Sequence, residues 1–111
     1  MDNSRKILNF LGIARKAGCI SPGEFMAEKC VKTGKAHLVI LSSEASENTK
    51  KAFHGLCARC QVPVFDFGEK EALGRAIGKN FAAALAVTDE RFGAQLINLL
   101  RENGGIEYES E

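Results

Sequence analysis

The residues best equipped for covalent or metal chemistry are four cysteines and two histidines, and their spacing argues against both uses. Cys57-Ala58-Arg59-Cys60 has the Cys-x-x-Cys spacing of a redox pair or of half a zinc site. Zinc needs two further ligands, and the sequence has neither a second such pair nor two histidines at ligand spacing. Cys19, Cys30, His37 and His54 stand apart. A redox pair works at a helix N-terminus, where the dipole lowers the thiol pKa; this one falls at the end of a helical pattern, where the dipole acts the other way. The cysteines are therefore expected to be structural, with no metal and no cofactor. Gly-x-Ser-x-Gly and Walker-type loops are absent. The carboxylates fall mostly at helix starts or at pairing distance from lysines. No catalytic residue is assigned, and an enzyme is not expected.

Basic groups make the stronger pattern. Lys29 and Lys32 lie on one helical stretch and Lys35 just beyond it; Lys50-Lys51 open the next; Lys70, Arg75 and Lys79 surround the one after that. In a sandwich of strands and helices, helices that follow successive strands can begin at one end of the sheet. Their free N–H groups, with lysines nearby, suit phosphates. A lone lysine usually just solvates a helix face, so the inference rests on the cluster.

The elements that must position these groups read as follows. Ile7, Leu8, Leu11 and Ala14 at helical spacing predict a helix over 4–16, ended by Gly18, with Cys19-Ile20 as a brief strand. Ser21-Pro22-Gly23-Glu24 carries three helix-start signals: Ser as N-cap, Pro in the first turn, and Glu three residues after the Ser as a capping box. That second helix is expected to reach about Thr33. His37–Leu41 is a continuous apolar run suited to a strand buried on both faces. Ser46 caps a third helix to about Cys60. Residues 62–67 make a strand, Glu69–Ile77 a short helix, Leu85–Thr88 a fourth strand, and Asp89 caps a last helix. Four short strands among five helices predict an α/β protein, with helices on both faces of a small mixed or parallel sheet.

At 111 residues there is room for one domain and one hydrophobic core. No apolar run approaches the roughly 18 residues that a membrane helix requires, and the N-terminus leads straight into an amphipathic pattern, so neither a membrane span nor a signal peptide is expected. Four cysteines without a secretory signal point to reduced thiols and a cytoplasmic protein. The net charge of +1 conceals an asymmetry: residues 1–101 hold all 15 bases and ten acids, for +5, whereas residues 102–111 hold four acids and no base. A basic body favours nucleic acid over a cationic partner. The tail from 102 to 111 lacks a core pattern and is expected to fray.

Gly23 with Lys29, the run Thr33-Gly34-Lys35-Ala36-His37-Leu38-Val39-Ile40-Leu41, Glu44-Ala45-Ser46, Leu56-Cys57 six residues before Pro63, and Leu73-Gly74-Arg75-Ala76-Ile77-Gly78 together resemble the ribosomal protein L7Ae family. The likeness runs over roughly residues 4–101. Leu11–Gly18 and Ser21-x-Gly23-Glu24 look most like its bacterial YlxQ branch. The resemblance implies a three-layer α/β/α sandwich around a four-stranded mixed sheet, and noncatalytic binding of structured RNA, including kink-turns and ribosomal RNA. Family members insert the start of the second helix into the groove of a kinked RNA, where a Gly-x-Asn-Glu-x-x-Lys motif reads G·A pairs. A hydrophobic loop before the last strand meets an extruded nucleotide. Carried over, Gly23 and Lys29 match, but the Asn-Glu pair falls on Phe25 and Met26, which can stack or pack and cannot read base edges. Glu24 is explained by its capping box. The implied RNA-binding set is Gly23, Glu24, Phe25, Met26, Lys29, Lys32, Lys35, Lys50, Arg75 and Phe81, with relaxed kink-turn specificity and a ribosomal association. The alternative is a protein–protein module on the same fold, for which Phe25 and Met26 would supply a partner surface.

Overall fold

The computed structural model describes residues 4–103 and 106–108. Helix α1 (Ser4–Lys16) is followed by β1 (Ile20–Pro22), α2 (Glu24–Lys32), β2 (Leu38–Leu41), α3 (Glu47–Cys60), β3 (Val64–Asp66), α4 (Lys70–Ala76), β4 (Ala84–Val87), α5 (Glu90–Glu102) and β5 (Ile106–Tyr108). Two of the expected caps form: Ser46 Oγ accepts the Thr49 N–H at 3.1 Å, and Asp89 Oδ2 accepts the Phe92 N–H at 2.9 Å.

The strands form one mixed sheet in the order β1-β4-β2-β3-β5. Strands β2 and β3 are parallel, in the register Val39 to Val64; β4 runs antiparallel to both its neighbours, β1 and β2. Because β2 and β4 are central, every residue in them is buried, as the uninterrupted apolar run of β2 requires. Alternate side chains then serve two cores. Leu38, Ile40, Leu85 and Val87 pack with Ile7, Leu11, Leu73, Ile77, Leu96 and Leu100 of α1, α4 and α5. Val39, Leu41, Ala84 and Ala86 pack with Ala27, Val31, Phe53, Leu56 and Cys57 of α2 and α3. Three layers result, as expected.

The structure corrects the sequence reading in two places. Ser21 and Pro22 do not open α2: they pair with Ala86 and Leu85 as strand residues. The N-cap is Gly23, at φ 91°, and no side chain caps this end. Ser21 Oγ instead meets Cys30 Sγ at 3.1 Å. A three-residue pairing onto the central β4 outweighs a local capping signal, and Pro22 is tolerated because β1 is an edge strand. The second correction lies in the acidic tail. Residues expected to fray form β5, which pairs antiparallel with β3 (Val64 with Tyr108, Asp66 with Ile106) and adds a fifth strand to the expected four.

Candidate nucleic-acid interface

Strands β1, β2 and β3 all point the same way, since β1 and β2 both run against β4 and β3 runs with β2. Their C-terminal ends therefore share one end of the sheet, and α2, α3 and α4 all begin there. Strand β4 starts at that same end, so the loop carrying Phe81 arrives there too.

Backbone and side-chain bonds lock these segments together. The Gly23 N–H donates to Ala84 O and the Ser42 N–H to Ala83 O, at 2.9 and 2.8 Å. The hydroxyl of Ser42, a buried polar residue, donates to Gly68 O at 2.8 Å, tying the β2–α3 turn to the β3–α4 turn. Glu44 Oε1 accepts the Lys70 N–H at 2.9 Å and so caps α4 from a neighbouring loop. Thr49 Oγ1 donates to Glu24 Oε1 at 2.9 Å, joining the starts of α2 and α3. Lys50 Nζ donates to Ser43 O at 2.9 Å. These bonds hold the starts of α2, α3 and α4 and the loop before β4 in one arrangement.

Gly74 sets the Phe81 loop. A Cβ at Gly74 would lie 2.8 Å from both the backbone N and Cα of Phe81, so only glycine lets the loop rest on α4. The Ala82 N–H donates to Lys70 O at 3.0 Å and the Lys79 N–H to Gly74 O at 2.8 Å, which pin the loop on either side. Phe81 is left 70% exposed, beside a groove of about 500 Å³ lined by Glu71, Arg75, Lys79, Asn80 and Phe81. On the opposite flank, Phe25 is 77% and Met26 43% exposed, in the first turn of α2. These three are most of the large apolar side chains exposed among the described residues, the other being Ile13 on α1. Sequence alone could not separate an exposed Phe81 from a core one.

The predicted site residues divide accordingly. Gly23, Glu24, Phe25, Met26, Lys50 and Phe81 meet at this end of the sheet. The Glu24 carboxylate is engaged with Thr49 rather than in a capping box. Arg75 lies on α4 next to it, paired with Glu71 across an exposed helix face. Lys29 is one turn further down α2. Lys32 pairs with Glu28 at 3.0 Å, and Lys35 lies beyond α2 where β2 begins, at the other end of the sheet. Lys35 therefore lies apart from the helix starts that the other predicted residues share. Lys70, absent from the predicted set, begins α4 at the site and was legible as the first base after Gly68.

Cys57 is buried in the α2–α3 core, and burial first, then the neighbouring Cys60, pushes its thiol up to about 12. A thiol so disposed is a poor nucleophile and a poor metal ligand. No group of three metal-ligating side chains exists among the described residues, and no helix among them is long and apolar enough to cross a membrane.

This sandwich, with its α2 start and pre-β4 loop, is that of a known class: residues 5–97 match the ribosomal protein L7Ae/L30e/S12e/Gadd45 family model, and the chain belongs to that family. It is 38% identical over 90 residues to the RNA-binding protein YlxQ of Bacillus subtilis, covering 81% of this chain and 90% of that one. A solved structure from Bacillus halodurans superposes with a TM-score of 0.84 at 40% identity, covering 86% of this chain and 97% of that one. The Giardia lamblia 15.5kD RNA binding protein superposes with a TM-score of 0.73 at 25% identity, covering 91% and 87%.

Proposed function

We propose that this protein is a noncatalytic, cytoplasmic binder of structured RNA, kink-turn-like or ribosomal, and that it works in association with the ribosome. The observation that carries this reading is that exposed Phe25, Met26 and Phe81 share one end of the sheet with an α2 start that no side chain caps. The first-turn N–H groups and the helix dipole favour a phosphate there, and Lys29, Lys50 and Lys70 lie within the same region. Phe25, Met26 and Phe81 offer surfaces on which splayed bases stack. Without the Asn-Glu pair, recognition is by shape and stacking, so specificity for G·A-paired kink-turns is relaxed. Membership of the family and the RNA-binding relatives support this reading.

The test is binding to a kink-turn duplex and to ribosomal RNA fragments over a range of salt. Log affinity should fall linearly with log salt, by nearly one unit of slope per phosphate neutralised. Salt-independent binding, or none at micromolar protein, would sink the proposal. The same exposed apolar surface favours one competing reading, a protein–protein module. Lys29→Glu separates the two, because it weakens RNA binding and spares an apolar contact.

A further inference from the structure

The groove beside Phe81 does not end on α4. A second groove, of about 250 Å³, is lined by Leu8 and Asn9 of α1 and by Ala72, Arg75 and Ala76 of α4. Arg75 lines both grooves, so the two flank its exposed side chain. From this we infer that the protein holds a single-stranded RNA segment along a path from Phe81, over Arg75, into the α1–α4 groove. The inference rests on the RNA-binding reading and extends it to a surface outside the end of the sheet described above.

The chemistry along the path is that of a single-strand groove rather than of a duplex footprint. It starts at an exposed aromatic platform, passes the amides of Asn80 and Asn9, which can donate to and accept from base edges, and runs over a floor of small apolar groups, Ala72 and Ala76. Lys79 and Arg75 line it, and Arg5, one helical turn before Asn9, extends the same face of α1 beyond the groove. The opposing charge is Glu71. Its pair with Arg75 is solvent-exposed on both sides and therefore weak, so Arg75 can exchange it for a phosphate at little cost.

The groove is a fixed feature of the packing. The two helices pack closely at Gly12, where a Cβ would stand in ordinary contact with Ala76 O at 3.4 Å. One turn on, Arg15 Nε donates to Ile77 O at 3.1 Å, anchoring α1 to the end of α4. Arg15 thus ties the helices beyond Gly12, and the hollow lies over Leu8 and Asn9.

The experiment measures affinity of the full chain, by fluorescence anisotropy, for a kink-turn duplex and for the same duplex with a single-stranded extension of about six nucleotides on one side or the other of the kink. One extended duplex should bind about tenfold more tightly than the bare one. Asn9→Glu, an exposed helix position where folding is undisturbed, should remove that gain and leave the bare duplex unaffected. Arg5→Glu should act in the same direction. Independently of any variant, 4-thiouridine in the extension should crosslink to the α1 segment 5–12. Extensions that add nothing, or crosslinks that map away from α1, overturn the inference while the RNA-binding reading stands. Failure to bind any of the three RNAs overturns both.

Discussion

The exposed aromatic rings should contribute to binding and little to stability. A base stacked on an aromatic side chain contributes roughly 1–3 kcal/mol, so Phe25→Ala and Phe81→Ala should each weaken RNA binding about tenfold. Their melting temperatures should stay near wild type, because neither ring is buried. Anisotropy and thermal denaturation together check this, and a large loss of stability would place the rings in the core instead. Cys57 gives the opposite kind of prediction. Its folded thiol pKa is raised from 9.0 to about 12, so between those values the unfolded chain loses a proton that the folded chain keeps. Stability contributed this way is unaffected below pH 9 and falls as pH rises towards 12. Thermal melts from pH 8 to 11 should show a steeper decline for wild type than for Cys57→Ala. At pH 8 a thiol reagent should label exposed Cys60 at once and Cys57 only on unfolding. The burial of Cys57 agrees with its place in the helical pattern of α3, which the sequence showed. That Phe25, Met26 and Phe81 share one end of the sheet was not legible there, because it depends on strand direction.

Gly74 makes one element depend on another. Gly74→Ala forces a methyl group into the backbone of Phe81, at a cost of roughly 1–3 kcal/mol, and shifts the loop that presents the ring. The melting temperature should fall by several degrees and RNA affinity should fall with it, whereas Phe81→Ala lowers affinity alone. Ser46→Ala should cost about 1 kcal/mol through loss of the α3 cap. Where an element's signal was local it could be read directly: Ser46 and Asp89 cap the helices they were expected to cap. Ser21-Pro22-Gly23-Glu24 was misread because its local signal competes with a pairing across more than sixty residues, Ile20 to Val87, that no short window reveals. The same pairing explains why α2 begins on a glycine and is left without a side-chain cap, which is the condition that suits it to an anion.

The described molecule closes its β3 edge with a strand that lies outside the family match, which ends at residue 97. Strand β5 is held by three register pairs and by an exposed double contact from Arg101 to Glu107. That contact depresses the Glu107 carboxyl, its hydrogen bond to Arg101 being the largest cause. An exposed pair of this kind contributes little, so truncation after Asn103 should leave the fold intact. It should also expose the edge of β3, and sedimentation should then show self-association that rises with concentration. Ile106-Glu107-Tyr108 is too short a run for its alternation to have announced a strand. The central place of β4 has a kinetic consequence. The sheet has no hairpin among its first four strands, and β4 supplies the middle of it only when residues 84–87 exist. A chain still being synthesised cannot join β1 to β2 until residues 84–87 have emerged, so pairing is long-range and folding should be correspondingly slow. The end of the sheet that carries Phe25 and Phe81 should be assembled in that same late step, so a nascent chain should not present that surface before then.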